Sequence, residues 1–367
     1  MKIVHTSYVN VPDMSDPQAW LDKISFYSGV LEQLSKKYIV ESIEKINYTG
    51  EIERNGVKYH FLPFKGKHHN FPAKLNRFIK SLKPDIVFVS GFMLPMPIIH
   101  LRMTLGKKVK IVVINRSEKP FKGIRKYLQR FADRSVNAYL FPSSEFGVEW
   151  VGNGNISRQE KIHEAMHGSS FFSPKDKTSA RSSLNVSGSP VFLWVGRLNS
   201  NKDPATVVKA FIQFLQFMPS AKLYMIFQTN ELLDEIKKMI YQNSHAQEAI
   251  ILIGKIEHKD MESWYNAADF IISGSHYEGG GIAVCEAMSC GCIPVVTDII
   301  SFRKLTGPGK CGVLYRAGDA NGLLNALKKT IEINIEKERQ NVLQQFRNEL
   351  SFEAIAAKVD KMIISLD

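Results

Sequence analysis

From Val191 onward the chain alternates short apolar runs with amphipathic stretches, and that alternation leaves few folds open. The runs "VFLWVG" (191–196), "AKLYMIF" (221–227), "AIILIG" (249–254), "DFIISGS" (269–275) and "IPVVTD" (293–298) have strand length and are apolar nearly throughout. Strands of that kind are buried on both faces. Helical patterns fill the gaps at about 203–217, 231–243, 259–267 and 281–290. Strand, helix, strand at this spacing predicts a parallel sheet covered by helices.

The first half follows the same rule less tidily. Lys2 to His5 opens a strand, a helical pattern runs from about Ala19 to Leu34, and "DIVFVSGF" (85–92) and "VKIVVIN" (109–115) read as strands, with "FPAKLNRFIKSL" helical. A Ser/Lys-rich stretch poor in apolar residues, "SPKDKTSARSSLNVSGSP" (173–190), reads as a linker. A chain of 367 residues exceeds what one core usually organises. The expectation is α/β: two doubly wound Rossmann-like domains, residues 1–178 and 179–345, facing across a cleft, with no tandem repeat.

Charge divides the halves. Residues 1–178 hold 28 Lys and Arg against 16 Asp and Glu, whereas 179–367 hold 20 against 20, so the whole net charge of +12 lies in the first half. An anionic partner is expected there: acidic lipid headgroups, a phosphorylated substrate or nucleic acid. The excess concentrates in "KPFKGIRKYLQRFADR" and "KLNRFIKSLK", whose apolar residues recur every three or four positions. Two readings stay open: an apolar side in the core with a solvated basic side, or contact with an anionic membrane surface. Nucleic acid is not expected, because no DNA- or RNA-binding motif is present.

The N-terminus "MKIVHTSYVNVPDMSD" does not read as a signal peptide, and no run approaches about 18 apolar residues, so a cytoplasmic protein is expected. Cys285, Cys290, Cys292 and Cys311 lack the spacing of a zinc site and read as buried thiols.

In open α/β sheets ligands sit beyond the C-terminal strand ends. There, after "VFLWVG", "RLNSNKD" places Arg197 and Lys202 in a loop before Pro204, two cations suited to a diphosphate. After "DFIISGS" comes "HYEGGGIAVCEAMSCG", three glycines between Glu278 and a helix carrying Glu286. Glycines allow close backbone approach, and the N–H groups of Ile282, Ala283 and Val284 are candidate anion donors. Glu278 and Glu286 suit sugar hydroxyls better than phosphate; the plainer alternative is a glycine-rich loop with a capping glutamate.

Taken in order, "GRLNSNKD", "HYEGGGIAVCEAMSCGCIPVVTD" and "GKCGVLYRAGD" resemble the C-terminal half of the retaining GT-B glycosyltransferases of family 4, the group 1 type. The matching positions are Arg197, Lys202, Glu278, Gly279, Gly281, Glu286, Gly291, Pro294, Gly312 and Asp319. The resemblance implies GT-B architecture, with residues 1–178 binding the acceptor and 179–345 the nucleotide sugar, and transfer of a sugar from a nucleoside-diphosphate sugar to a glycan or lipid-linked acceptor, with retention. By it, Arg197 and Lys202 neutralise the leaving diphosphate, Glu278 lies near the donor sugar, Glu286 holds the ribose, and Gly196, Gly279, Gly280, Gly281, Ile282 and Ala283 line the donor site. No cofactor or metal is implied, and Asp-x-Asp does not occur. The C-terminal helix, about Glu336 to Ser365, is implied to pack back on the first domain, with 346–367 as the returning segment.

The first half departs from the family. "TSYVNVPDMSDPQ" has no glycine, and "NRSEKP" stands where a histidine is common, leaving Arg116 as a candidate for phosphate and Glu118 for an acceptor hydroxyl, or both as plain loop charges. "KIHEAMHGSSFFSPKDK" fits the family's approach to the linker at Gly168 and Phe172-Ser-Pro174; His163, Glu164 and His167 are further candidates, without metal-binding spacing. The alternatives are a sugar-nucleotide epimerase on the same fold, or a non-catalytic basic protein binding nucleic acid or membrane.

Overall fold

A computed structural model describes residues 1–63, 72–91, 95–116 and 118–366. Phe71 and Phe92, at the edges of two runs quoted above, lie outside the described residues. The chain divides into two units, Met1–Ser169 with the segment from Phe352 onward, and Ser170–Ser351.

The first unit is built on β1 (Lys2–Ser7), β2 (Ile39–Glu44), β3 (Gly50–Arg54), β4 (Val57–Phe61), β5 (Ile86–Ser90), β6 (Lys110–Ile114), β7 (Ala138–Phe141) and β8 (Ile162–Glu164). Their order is β3-β4-β2-β1-β5-β6-β7-β8, parallel except for the β3–β4 pair. The connection from β1 winds to one side through β2, while β5 opens the other side. The order therefore reverses between β1 and β5, where a doubly wound sheet leaves a crevice at its C-terminal edge. Ile3, Val4, Val87 and Val112 fill the core. His5 lies among them, with Nδ1 and Nε2 each 2.9 Å from a serine hydroxyl, Ser42 and Ser90 on the flanking strands.

The helix expected at 19–34 is two helices, Pro17–Lys23 and Ser25–Ser35. Asp16 caps the first by accepting from the Gln18 and Ala19 amides. Ile24 (φ −91°, ψ 3°) breaks the run and buries its own side chain, and the second helix then lays Tyr27, Leu31 and Leu34 inward. The long C-terminal helix is interrupted as well. Ile335–Gln345 runs into a wide π turn, Phe346–Leu350, and Ser351 is extended (φ −63°, ψ 158°) before Phe352–Ile364. That last helix packs on Ser25–Ser35 in the first unit, where Lys37 pairs with Asp360 at 2.8 Å.

The second unit holds β9 (Val191–Gly196), β10 (Lys222–Phe227), β11 (Ile250–Gly254), β12 (Phe270–Ser273), β13 (Ile293–Thr297) and β14 (Val313–Tyr315). Their order is β11-β10-β9-β12-β13-β14, parallel throughout, with the reversal between β9 and β12. Phe192, Phe211, Phe214 and Phe270 form its aromatic core, Phe192 stacking on Phe270 at 5.0 Å.

The stretch read as a linker contains a helix, Lys177–Leu184. Ion pairs hold it instead of an apolar face: Lys177 and Arg181 both reach the carboxylate of buried Asp269, at 2.5 and 2.7 Å. Little apolar patterning was therefore available to announce it.

Candidate functional site

In the second unit the sheet reversal brings together the loops that follow β9 and β12, and a ladder of polar contacts laces them. Asp203 takes a left-handed backbone (φ 43°) and caps helix Pro204–Phe214 by accepting from the Thr206 amide at 3.2 Å. His276 Nε2 lies 3.1 Å from Asp203 Oδ2, and the His276 amide donates to the Asn201 carbonyl at 2.8 Å. Asn201 Nδ2 donates in turn to the Tyr277 carbonyl at 3.0 Å. A non-glycine residue at positive φ costs on the order of 1–3 kcal/mol and persists where its surroundings over-determine it.

Across this seam the Lys202 ammonium pairs with the Glu278 carboxylate, which also accepts from Ser275 Oγ at 2.7 Å. Ser301 Oγ donates to the Glu278 carbonyl and so fixes the backbone entering the glycines. Arg197 is exposed just past β9, with no carboxylate within ion-pair distance among the described residues. Of the three glycines, Gly281 has the left-handed backbone (φ 64°, ψ 43°) and starts helix Ile282–Ser289. A Cβ there would meet the Phe302 ring at 2.9 Å, so space as well as backbone demands glycine. The Val284 amide bonds to the Gly281 carbonyl at 3.0 Å, which removes one of the three expected donors and leaves those of Ile282 and Ala283 in the first turn.

Glu286, one turn into that helix, is buried and has protein partners of its own. It accepts from the Tyr265 hydroxyl at 3.0 Å and faces His258 Nε2 at 2.7 Å. The Glu286 contact holds the His258 imidazole above its ordinary pKa against the opposing effect of burial. Burial, and then the same carboxylate, push the Tyr265 hydroxyl far up. Phe172 lies against His258, ring centroids 5.1 Å apart. Glu278 and Glu286 were expected to await sugar hydroxyls; the structure gives each protein donors first, although a carboxylate accepts about four hydrogen bonds and retains capacity for a ligand.

Other motif positions are scaffold. Asp319 caps helix Ala320–Glu332 by accepting from the Gly322 amide at 2.8 Å. A Cβ on Gly312 would lie 2.3 Å from the Pro294 carbonyl, so these two motif residues are a packing contact. Gly196 ends β9, and Gly279 and Gly280 join Glu278 to the helix start. Sequence reasoning missed His258, Tyr265, Ser275, His276 and Ser301. His258, Ser275 and His276 carried a signal, since they follow strand ends as Arg197 and Glu278 do; Tyr265 and Ser301 lie within helices and carried none.

Arg116 and Glu118 belong to the first unit, in the turn after β6. Glu118 Oε2 accepts from the Arg116 amide at 2.9 Å, and the Arg116 guanidinium lies over the Tyr27 ring at 4.6 Å. Of the histidine-rich segment, Glu164 accepts from the Ser144 amide at 2.8 Å, and the half-buried His167 has its pKa down to about 4, through loss of solvent around the ring and then the Arg116 charge. The four cysteines are buried, and burial pushes the Cys290 thiol up to about 12.

Residues 176–348 match the family model described as glycosyl transferases group 1. The second unit carries a glycosyl transferases group 1 domain. That domain contains Arg197, Lys202, Glu278 and Glu286, with His258 and Tyr265. The chain is 25% identical over 243 residues to the lipopolysaccharide core biosynthesis mannosyltransferase LpsB of Rhizobium meliloti, covering 63% of this chain and 64% of that protein. It is 32% identical over 197 residues to the poly(glycerol-phosphate) alpha-glucosyltransferase of Bacillus subtilis, covering 52% of this chain and 26% of that one. The chain thus spans less than two thirds of either relative. Among solved structures it is similar to a glycosyltransferase from Rickettsia africae (TM-score 0.76, 16% identity, 100% and 98% of the two chains). It is also similar to Anabaena HepE in complex with UDP (TM-score 0.74, 15% identity, all of both chains). At such identities the likeness shows the fold, GT-B, with the group 1 domain as its second Rossmann-like unit.

Proposed function

We propose that the chain is a retaining, metal-independent glycosyltransferase that moves a sugar from a nucleoside-diphosphate sugar to a glycan or lipid-linked acceptor in polysaccharide, lipopolysaccharide or glycoconjugate synthesis. The observation that carries this reading is the seam between the β9 and β12 loops. It sets an unpaired arginine, a lysine held by Glu278 and a helix N-terminus around one sheet reversal, where a diphosphate is best received. Arg197, Lys202 and the Ile282 and Ala283 amides take the diphosphate, Glu286 takes ribose hydroxyls beside His258, and Glu278 with Gly279, Gly280 and Gly281 lies along the donor sugar. The LpsB relative is a mannosyltransferase and the HepE structure holds UDP, which supports a nucleotide sugar as donor.

The bond between the anomeric carbon and the diphosphate oxygen breaks, its electron pair going to that oxygen. Arg197 and Lys202 stabilise the charge that develops there, a role that needs no metal ion. The acceptor hydroxyl bonds to the anomeric carbon on the same face and passes its proton to the departing phosphate, so no side chain is assigned as general base. Proton NMR of the first-formed product tests retention: an anomer matching the donor is expected, and an inverted one overturns it.

Peripheral attachment to the cytoplasmic face of an anionic membrane belongs to the same proposal. Helix Gly123–Ala132 buries Gln129 and Ala132 while leaving Ile124 77%, Tyr127 71% and Phe131 53% exposed, beside exposed Lys122, Arg125 and Arg130. An apolar stripe turned outward among cations suits an anionic bilayer surface. In the other basic helix, Ala73–Ser81, Leu75 and Ile79 are buried, so its apolar side is core. Among the described residues no helix is long and apolar enough to cross a membrane.

A further inference from the structure

Lys202 springs from a loop that is confined on two sides. Its amide donates to Asn199 Oδ1 at 3.1 Å, and its aliphatic stem runs back along the end of β9, where a Cβ on Gly196 would stand 3.5 Å from Lys202 Cδ. On the other side the loop rests on the backbone after β12. A Cβ on Gly274 would meet the Asp203 carbonyl oxygen at 2.9 Å and the Lys202 carbonyl oxygen at 3.2 Å, so glycine is what lets the two backbones come this near.

Backbone contact at a glycine does not stop one loop from sliding along the other. His276 does. Its Nε2 lies 3.1 Å from Asp203 Oδ2, and its Cε1 lies 3.3 Å from where a Cβ on Gly318 would stand, so the ring is wedged between the start of helix Pro204–Phe214 and the turn after β14. Asp203 holds a left-handed backbone (φ 43°) that glycine would adopt without strain. Glycine is also a serviceable helix N-cap, so capping Thr206 is a weak reason for an aspartate here. The contact that glycine could not replace is the one to His276.

We infer that Asp203 and His276 are positioning residues for Lys202. The pair locks the β9 loop in register with the β12 loop, which keeps the Lys202 ammonium at Glu278 and beside the place where a diphosphate is received. Neither side chain acts on the donor; each acts through Lys202. In giving Lys202 a diphosphate to meet, the inference rests on the transferase reading; the restraint on Lys202 does not.

The test has two arms, on the full chain and the variants Asp203→Gly, Asp203→Asn, His276→Ala and the double variant Asp203→Gly, His276→Ala, each checked for native circular dichroism. Asp203→Gly relaxes the backbone at this position, so it should fold. The first arm needs no substrate: a pulse of acetic anhydride, with acetylation of Lys202 measured by mass spectrometry against that of exposed Lys209. Lys202 should label about threefold faster in Asp203→Gly and in His276→Ala, with no further gain in the double variant. Asp203→Asn should stay near wild type, because asparagine tolerates the left-handed backbone and offers polar atoms to both Thr206 and His276.

The second arm follows release of nucleoside diphosphate from UDP-glucose, GDP-mannose, ADP-glucose and dTDP-glucose. On whichever is turned over, Asp203→Gly and His276→Ala should each lower kcat about tenfold to a hundredfold and leave KM within about twofold. In a Lys202→Met background the same substitutions should change kcat by less than about twofold. The inference is overturned if Lys202 labels at the wild-type rate in both single variants, if the two effects add in the double variant, or if the loss of kcat is as large in the Lys202→Met background as outside it. A wild type that turns over none of the four counts against the transferase reading, and the labelling arm still decides the restraint on Lys202.

Discussion

His258 Nε2 lies 2.7 Å from Glu286 Oε1, which makes the residue that closes the turn after β11 a partner of the helix that follows the glycines. The contact raises the folded-state pKa of His258 above its ordinary 6.5. A raised pKa contributes stability that is fully present below the unfolded value and is lost as pH rises through the folded one. Melting curves from pH 5.5 to 8.5 should therefore show His258→Gln destabilised most at the acid end, the gap to wild type closing as pH rises.

Donor affinity should move the opposite way. Protonated His258 competes with ribose hydroxyls for Glu286, so nucleotide binding by the wild type should strengthen from pH 5.5 to 8.5. In His258→Gln that slope should flatten, which titration calorimetry at several pH values checks.

Removing Glu286 has two separable effects. Glu286→Ala should weaken nucleotide binding by about tenfold to a hundredfold, the range for hydrogen bonds to a charged group. It should also cost about 1–3 kcal/mol of stability by leaving the buried Tyr265 hydroxyl without its acceptor. Glu286→Gln keeps an acceptor for Tyr265, so it should recover most of the stability and little of the binding.

Arg197→Ala and Lys202→Met should each lower kcat by about a hundredfold to a thousandfold, the usual effect of deleting a group that meets developing charge. Lys202→Met also strips Glu278 of its cation. Substrate-saturated rates in a donor assay separate this from weakened binding.

The outward stripe on helix Gly123–Ala132 predicts flotation with vesicles containing anionic phosphatidylglycerol and not with purely zwitterionic ones. The triple variant Ile124→Ser, Tyr127→Ser, Phe131→Ser should abolish flotation with little change in melting temperature, since all three side chains are exposed.

Legibility in the sequence followed the kind of signal each part left. The strands of the second unit are apolar because both faces are covered, and Val191, Ile271 and Val295 announced them directly. Helix Lys177–Leu184 left no such trace, because its anchor is a pair of charges on Asp269, distant in sequence. Arg197, Lys202, Glu278 and Glu286 were readable through a motif in which order and spacing are specific. His258 and Tyr265 were not, because their significance comes only from meeting one carboxylate in space. The surroundings of Arg116 were half legible: the charged turn was visible, but Tyr27, Glu44 and Ser90 come from three distant segments.

The most direct test of the central claim is equilibrium binding of UDP-, GDP-, ADP- and dTDP-sugars to the purified chain in EDTA, with Arg197→Ala and Glu286→Ala in parallel. Saturable binding of one nucleotide sugar without metal is expected, weakened at least about tenfold in both variants. Binding that needs a divalent cation, or that survives both substitutions, would contradict it.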